Sequence, residues 1–274
     1  YVTGYTSGGL DNNTSSGGVL DLFLVKYNSS GTKQWTQQLG TSAKDVSQGV
    51  TVDSSDNIYV SGWTKGGLDN NTSSGGYDIF LVKYNSSGTK QWTQQLGSNG
   101  NDYGYGVTVD SSDNIYVTGH TYSGLVNNIT TINDIFLVKY YSNGTKQWIQ
   151  QLGSTGSSNQ QWQDYGYGVT VDSSSNIYVT GSTGRQLDGN NYTGGEDIFL
   201  VKYNSSGTKQ LGTRQLGTGH TDVGRGVTVD SSNNIYVTGS TNRGLDGNST
   251  SGEYDLFLIK YNSSGTKQWT KQLG

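Results

Sequence analysis

The chain holds 21 acidic residues, all aspartate except Glu196 and Glu253, and two histidines, His120 and His220. Acid–base hydrolysis needs carboxyl groups held apart from the scaffold in environments of their own. Here every Asp falls into a column of an internal repeat. Asp53, Asp110, Asp172 and Asp230 close the segment G-V-T-V-D, and Asp56 and Asp113 follow in its turn. Asp45, Asp102, Asp164 and Asp222 precede that segment. Asp11, Asp69, Asp188 and Asp246 open a long loop, and Asp21, Asp78, Asp134, Asp197 and Asp255 begin D-[IL]-F-L-[VI]-K-Y. The two Glu lie beside that last column. A group needed at one catalytic point would stand as an exception to the repeat, and no acid pair does. The histidines fall in different repeats without a matched partner. Nucleophile-elbow, zinc-protease and phosphate-loop motifs are absent. The expectation is a protein that is not an enzyme.

The exceptions to the repeat carry more information. The second strand segment of each repeat ends on Tyr5, Trp63, His120, Ser182 or Ser240. Just ahead of the G-V-T-V core stand Gln48, Tyr105, Tyr167 and Arg225. Trp35, Trp92, Trp148 and Trp269 recur in phase and read as packing, whereas Trp63 and Trp162 have no counterpart. Lys65, Arg185 and Arg243 add off-column cations. Aromatic side chains among amides on variable loops suit a carbohydrate or peptide ligand. The candidate ligand-binding set is Trp63, Tyr105, His120, Tyr122, Trp162, Tyr167, His220 and Arg225. Relaxed constraint on the loops is the competing reading of the same variation.

The long loops also alternate oxygen ligands: Asp69, Asn71 and Asp78 in one repeat, Asp246, Asn248 and Asp255 in another. Calcium takes six to eight oxygens, and these residues are the candidate metal set. Local Asx-turn chemistry is the stronger reading. The spacing is not that of an EF-hand, and Val126 replaces the Asp in the third repeat.

These residues sit on a frame that repeats every 57 to 62 residues, with Y-V-[TS]-G starting at Tyr1, Tyr59, Tyr116, Tyr178 and Tyr236. Each unit offers four strand candidates. G-V-T-V-D is rich in β-branched residues, and N-I-Y-V-T-G follows it after a short turn. D-I-F-L-V-K-Y is apolar without alternation, as a strand buried on both faces would be. T-K-Q-W-T-Q-Q-L alternates, as suits an outer edge. The connections D-S-S-D-N and N-S-S-G-T are hairpin-like. No stretch has helical periodicity.

Four antiparallel strands repeated around an axis is an all-β β-propeller pattern. Residues 1–274 read as one domain of five repeats, five blades in all. The first repeat lacks G-V-T-V-D, so its blade has no inner strand. A five-bladed ring is expected, with an extended or assembled array as the alternative. In such a topology the long loops share one face with the inter-blade loops, and the short hairpins form the other.

The segments G-V-T-V-D-S-S-x-N-I-Y-V-T-G and D-[IL]-F-L-[VI]-K-Y-N-S-S-G-T-K-Q-W resemble the SBBP family of β-propeller repeats, over essentially the whole chain. Their inner-strand part is also similar to NHL-type repeats. The resemblance implies a propeller of a bacterial or archaeal surface or secreted protein. The family's name implies seven blades, where this sequence shows five.

Composition sets outer limits. Net charge is −4 with 14 % charged residues, so there is no basic stripe for nucleic acid. No apolar run is long enough for a spanning helix, so membrane insertion is not expected. Cysteine is absent, which excludes disulfides and thiolate metal sites. Lacking Met and starting in mid-repeat, the chain reads as a processed product or a piece of a longer protein. Sequons at Asn28, Asn71, Asn85, Asn128, Asn204 and Asn262 are potential glycosylation points, although N-S-S-G is also simply a good turn. The functional expectation is an extracellular or cell-surface binding module for a glycan or a surface protein, without cofactor. A structural spacer or filament subunit, self-assembling through the incomplete first repeat, is second. A propeller hydrolase is third.

Overall fold

The computed structural model describes residues 1–126, 133–154 and 163–274. The described residues form five antiparallel sheets, following one another along the chain. The first has three strands, β1 (Val2–Thr6), β2 (Asp21–Tyr27) and β3 (Lys33–Leu39). The second runs β4 (Asp45–Val52), β5 (Ile58–Thr64), β6 (Asp78–Tyr84) and β7 (Lys90–Leu96). The third is β8 (Asp102–Val109), β9 (Ile115–Thr121), β10 (Asp134–Tyr140) and β11 (Lys146–Leu152). The fourth is β12 (Asp164–Val171), β13 (Ile177–Thr183), β14 (Asp197–Tyr203) and β15 (Lys209–Leu216). The fifth is β16 (Asp222–Val229), β17 (Ile235–Thr241), β18 (Asp255–Tyr261) and β19 (Lys267–Leu273). Every sheet is a meander, as the short Ser/Asn/Gly hairpins require. The first blade lacks its inner strand, as expected from its missing G-V-T-V-D.

The short turn D-S-S-x-N is closed by its own aspartate. Asp172 Oδ1 accepts the backbone amides of Ser174 and Asn176, both at 2.9 Å. Its Oδ2 accepts Asn176 Nδ2 at 2.8 Å and the Tyr178 hydroxyl at 3.0 Å. The same set recurs from Asp53 to Tyr59. In N-S-S-G-T the Asn does this work: Asn85 Oδ1 accepts the amides of Ser87 and Thr89.

In the three middle blades the continuous apolar strand is buried on both faces, because each of those sheets packs between two others. Ile79 and Leu81 of β6 meet Phe136, Val138 and Tyr140 of the next blade. Phe80, Val82 and Tyr84, on the opposite face, meet Leu22 and Leu24 of the blade before. The same pattern joins the third blade to the fourth and the fourth to the fifth. The recurring Trp35, Trp92 and Trp148 pack against these cores. The structure therefore holds four blade-to-blade junctions. A core joining the fifth blade to the first does not occur among the described residues. The outward faces of the two end sheets carry exposed side chains, among them Tyr27 on the first and Leu256 on the fifth.

Candidate ligand-binding site

The long loops and the inter-blade loops emerge together, at the starts of the inner strands β4, β8, β12 and β16. Each inner strand is interrupted near this end by a β-bulge. Its register against the second strand slips between Ser47 and Gly49, Gly104 and Val107, Gly166 and Gly168, and Gly224 and Gly226. A bulge re-aims the residue it inserts. The residues at these slips include Gln48, Tyr105, Tyr167 and Arg225, the same four that depart from the repeat. Together with the glycine and valine that follow each of them, they line a cavity of about 520 Å³ at the mouth of the central channel.

From this mouth a chain of aromatic rings runs outward along the same face. The Arg225 guanidinium carbon lies 4.4 Å from the Tyr167 ring centroid. Tyr167 is 5.2 Å from Tyr105 and 5.9 Å from Tyr165. His120 sits among Tyr103, Tyr105 and Tyr165, with centroids at 4.8, 5.5 and 4.7 Å. Tyr103 continues to Trp63 at 5.5 Å and Tyr77 at 5.3 Å, and Lys65 Nζ closes the series 5.9 Å from Tyr77. The backbone permits this density at Gly119. A Cβ there would stand 1.8 Å from the Tyr103 carbonyl oxygen, which explains the glycine in Y-V-T-G ahead of His120.

Trp63, Tyr105, His120, Tyr167 and Arg225 are thus brought into one site. His120 does not present its ring to solvent, as a ligand contact would. It is 4 % exposed, and burial pulls its pKa down to about 3, so it is a neutral packing element beneath the tyrosines. Tyr122 lies just past β9, half-buried, with its amide donating to the Asn101 carbonyl at 3.1 Å. His220 is exposed on the loop before β16 and takes no part in the ring series. Trp162, like the sequon at Asn128, lies outside the described residues. Tyr77, Tyr103 and Tyr165 are added by the structure. Two of them were readable, because Tyr103 and Tyr165 replace Val46 and Val223 in their column.

Electrostatically the mouth is nearly uncharged apart from Arg225. Burial, the largest influence, raises the Tyr105 and Tyr167 hydroxyls, against a smaller lowering by Arg225. Burial likewise lifts the Glu196 carboxyl, again with Arg225 pulling back. The site offers aromatic faces, phenol hydroxyls and one guanidinium.

The loop aspartates resolve differently from a calcium site. Asp69 pairs with Lys90, and Asp246 with Lys267 at 2.5 Å, so a lysine already fills the cation position. Both Asp adopt left-handed backbone, φ 56°. Asn71 and Asn248 donate to the Leu68 and Leu245 carbonyls, each at 2.8 Å. Asp78 accepts the Ser74 amide at 2.8 Å and Gln95 Nε2 at 2.7 Å, and Asp255 accepts Gln272 Nε2 at 2.7 Å. Among the described residues no group of three or more His, Cys, Asp or Glu could hold a metal. The loop aspartates and asparagines are engaged in Asx-turn bonds and lysine pairs.

Bladed sheets with a bulge-built channel mouth define a β-propeller-type repeat protein. The chain belongs to the SBBP β-propeller repeat family, whose profile matches residues 34–69, 91–125, 147–185 and 208–246. Among curated proteins it is similar to the uncharacterized WD repeat-containing protein L264 of Acanthamoeba polyphaga mimivirus, 26 % identical over 87 % of this chain and 23 % of the relative. It is also similar to the regulatory protein FlaEY of Caulobacter vibrioides, 26 % identical over 95 % of this chain and 30 % of the relative. The chain therefore spans less than a third of these relatives' length. Among solved structures, a polysaccharide lyase of family PL25, an ulvan lyase, shares the fold. The TM-score is 0.55 at 14 % identity, covering 93 % of this chain and 62 % of that one. The same kind of enzyme bound to a saccharide gives a TM-score of 0.52 at 13 % identity, covering 97 % of this chain and 66 % of that one.

Proposed function

We propose that the chain is a non-catalytic binding module, acting outside the cell or at its surface, that takes a glycan across the loop face. The observation that carries this reading is the unbroken series of rings from Trp63 to Tyr167, ending on Arg225 at the channel mouth. Aromatic faces stack on the apolar faces of sugar rings, and phenol hydroxyls serve their edges. Arg225 suits an acidic saccharide, because a guanidinium pairs bidentately with carboxylate or sulfate. The ulvan lyase solved with a saccharide containing glucuronate and sulfated rhamnose shows that this fold can seat such a polymer in that protein. The non-catalytic part of the reading is supported by the buried, neutral His120 and by the absence of any Asp outside the repeat columns.

The test is a glycan array followed by calorimetry on the best acidic and neutral hits. Binding weakened by Tyr105→Ala and Arg225→Ala supports the proposal. Undiminished binding by both variants, or turnover of a bound polymer, overturns it. A structural role is the second reading, favoured by the recurrence of one core pattern from blade to blade.

A further inference from the structure

One backbone bond recurs in every four-stranded blade. The residue after the second strand donates its amide to the carbonyl of the residue ahead of the inner strand. Lys65 gives to Lys44 at 2.9 Å, Tyr122 to Asn101 at 3.1 Å, Gly184 to Gln163 at 3.1 Å and Asn242 to Thr221 at 3.3 Å. Among these four pairs, the second blade alone places two cations side by side. The backbone of Lys44 is held from its other side by a bridge to Leu20. The loop after Lys65 is drawn in at Gly66, where a Cβ would come 2.5 Å from Thr41 Oγ1. Like charges on paired positions destabilise a sheet, and no carboxylate offsets this one. The ion pairs among the described residues use Lys33, Lys90, Lys209 and Lys267.

The two lysines line a cavity of about 370 Å³ with Val19, Ala43 and Tyr77. It shares no residue with the channel mouth. The ring series joins the two places. Lys65 Nζ lies 5.9 Å from the Tyr77 centroid, and Tyr77 lies 4.7 Å from Trp63 and 5.3 Å from Tyr103. The aromatic track thus has a cation at each end, Arg225 on Tyr167 and the lysine pair beside Tyr77. Trp63, Tyr77, Tyr103, Tyr105 and Tyr167 are all half-buried along it, with part of each ring open to solvent.

We propose that the Lys44–Lys65 cavity is a second anion subsite of the loop face, so that the ligand is a polyanionic polysaccharide with acidic groups on separate sugars. This rests on the loop face being the glycan site. One carboxylate or sulfate pairs with Arg225, a second lies between the two lysine ammonium groups, and the sugars between them lie on Tyr105, Tyr103 and Trp63. The Arg225 fork suits two parallel hydrogen bonds to one anion, whereas the lysines act as two point charges. An anion between them also relieves their mutual repulsion. The ends are separated by successive ring contacts of 4.4 to 5.9 Å, so a free anion or a single acidic sugar engages one end at a time. A chain that engages both makes its second contact intramolecular and gains affinity by effective concentration.

Calorimetry with oligosaccharides of alternating glucuronate and 3-sulfated rhamnose, from the disaccharide upward, tests this on the wild-type chain, on Arg225→Ala and on the double variant Lys44→Ala, Lys65→Ala. Desulfated, carboxyl-reduced oligosaccharides of the same lengths are the neutral control. In the wild type, affinity is expected to rise about tenfold or more from the disaccharide to the longest acidic oligosaccharide, and to rise less for the neutral series. The double variant is expected to keep the wild-type affinity for the disaccharide, to lose the gain with length, and to depend less on salt. Its melting midpoint is expected to stay or to rise, which shows that it is folded. Equal affinity of the double variant and the wild type for the longest acidic oligosaccharide, or no gain with length in the wild type, overturns the second subsite. If Arg225→Ala then still weakens binding, the glycan reading stands without it. A wild type that binds none of these oligosaccharides overturns both.

Discussion

Arg225 holds its guanidinium carbon 4.4 Å above the Tyr167 ring, the two residues coming from bulges in neighbouring inner strands. The contact fixes a cation at the channel mouth in contact with the aromatic series. Arg225→Ala should weaken binding of an acidic saccharide about tenfold or more, consistent with the ~0.5–2 kcal/mol of such contacts plus a lost charge pair. Arg225 is exposed, so its thermal midpoint should hardly move. Calorimetry and a melt on the same preparation check both halves.

Trp63 behaves differently because it is half-buried between Tyr77 and Tyr103. Trp63→Ala should lower stability by roughly 1–3 kcal/mol while also weakening binding. Denaturant unfolding separates the two effects. A variant with an unchanged midpoint would show that the ring packing contributes nothing.

Two buried groups in the third blade should tilt the pH dependence of stability in opposite directions. Asp134 is raised to about 6, chiefly by burial, with the Gln151 hydrogen bond lowering it and Asp164 raising it. The unfolded carboxyl titrates near 3.8, so the folded state holds the extra proton in between. Stability from this group is present in acid and is lost as pH rises through 6. His120 is lowered by burial to about 3 from 6.5, so its contribution is lost as pH falls below 6.5. Asp134→Asn should therefore raise stability at pH 7, by on the order of 1 kcal/mol. His120→Phe should steepen the acid-side gain that Asp134 supplies. Melting curves between pH 4 and pH 8 on the two variants give the signs.

The hairpin aspartates are structural anchors. Asp172 stays ionised more readily than a free carboxyl: the four hydrogen bonds it accepts together outweigh the raising effect of burial, the largest single influence. Asp172→Ala should cost about 2–3 kcal/mol, since it strands buried donors including the Tyr178 hydroxyl. Tyr178→Phe should cost about 1 kcal/mol, and chemical denaturation measures both.

Calcium should leave the protein unmoved. With Lys90 on Asp69 and Lys267 on Asp246, added calcium or a chelator is expected to leave the melting midpoint where it was. An upward shift with calcium would restore the loop as a metal site.

The repeat made the blades legible, because period-two patterning, β-branched runs and turn residues are local properties of the chain. The burial of D-I-F-L-V-K-Y on both faces, the packing role of Trp35 and its counterparts, and the missing first inner strand all followed from columns of residues. The set Gln48, Tyr105, Tyr167 and Arg225 was visible as exceptions, but their convergence was not. Convergence depends on bulges that turn four residues from four strands into one mouth, and a bulge shows in sequence only as an extra residue. The burial of His120 escaped notice for the same reason: its neighbours Tyr103 and Tyr165 come from two different blades. The lysine partners of Asp69 and Asp246 lie about twenty residues along, on another strand, so the loops alone suggested a free ligand set. Ring closure was also beyond the sequence. Blade count and strand order are written in the repeat, whereas the angle between packed sheets decides whether the first and last ones meet.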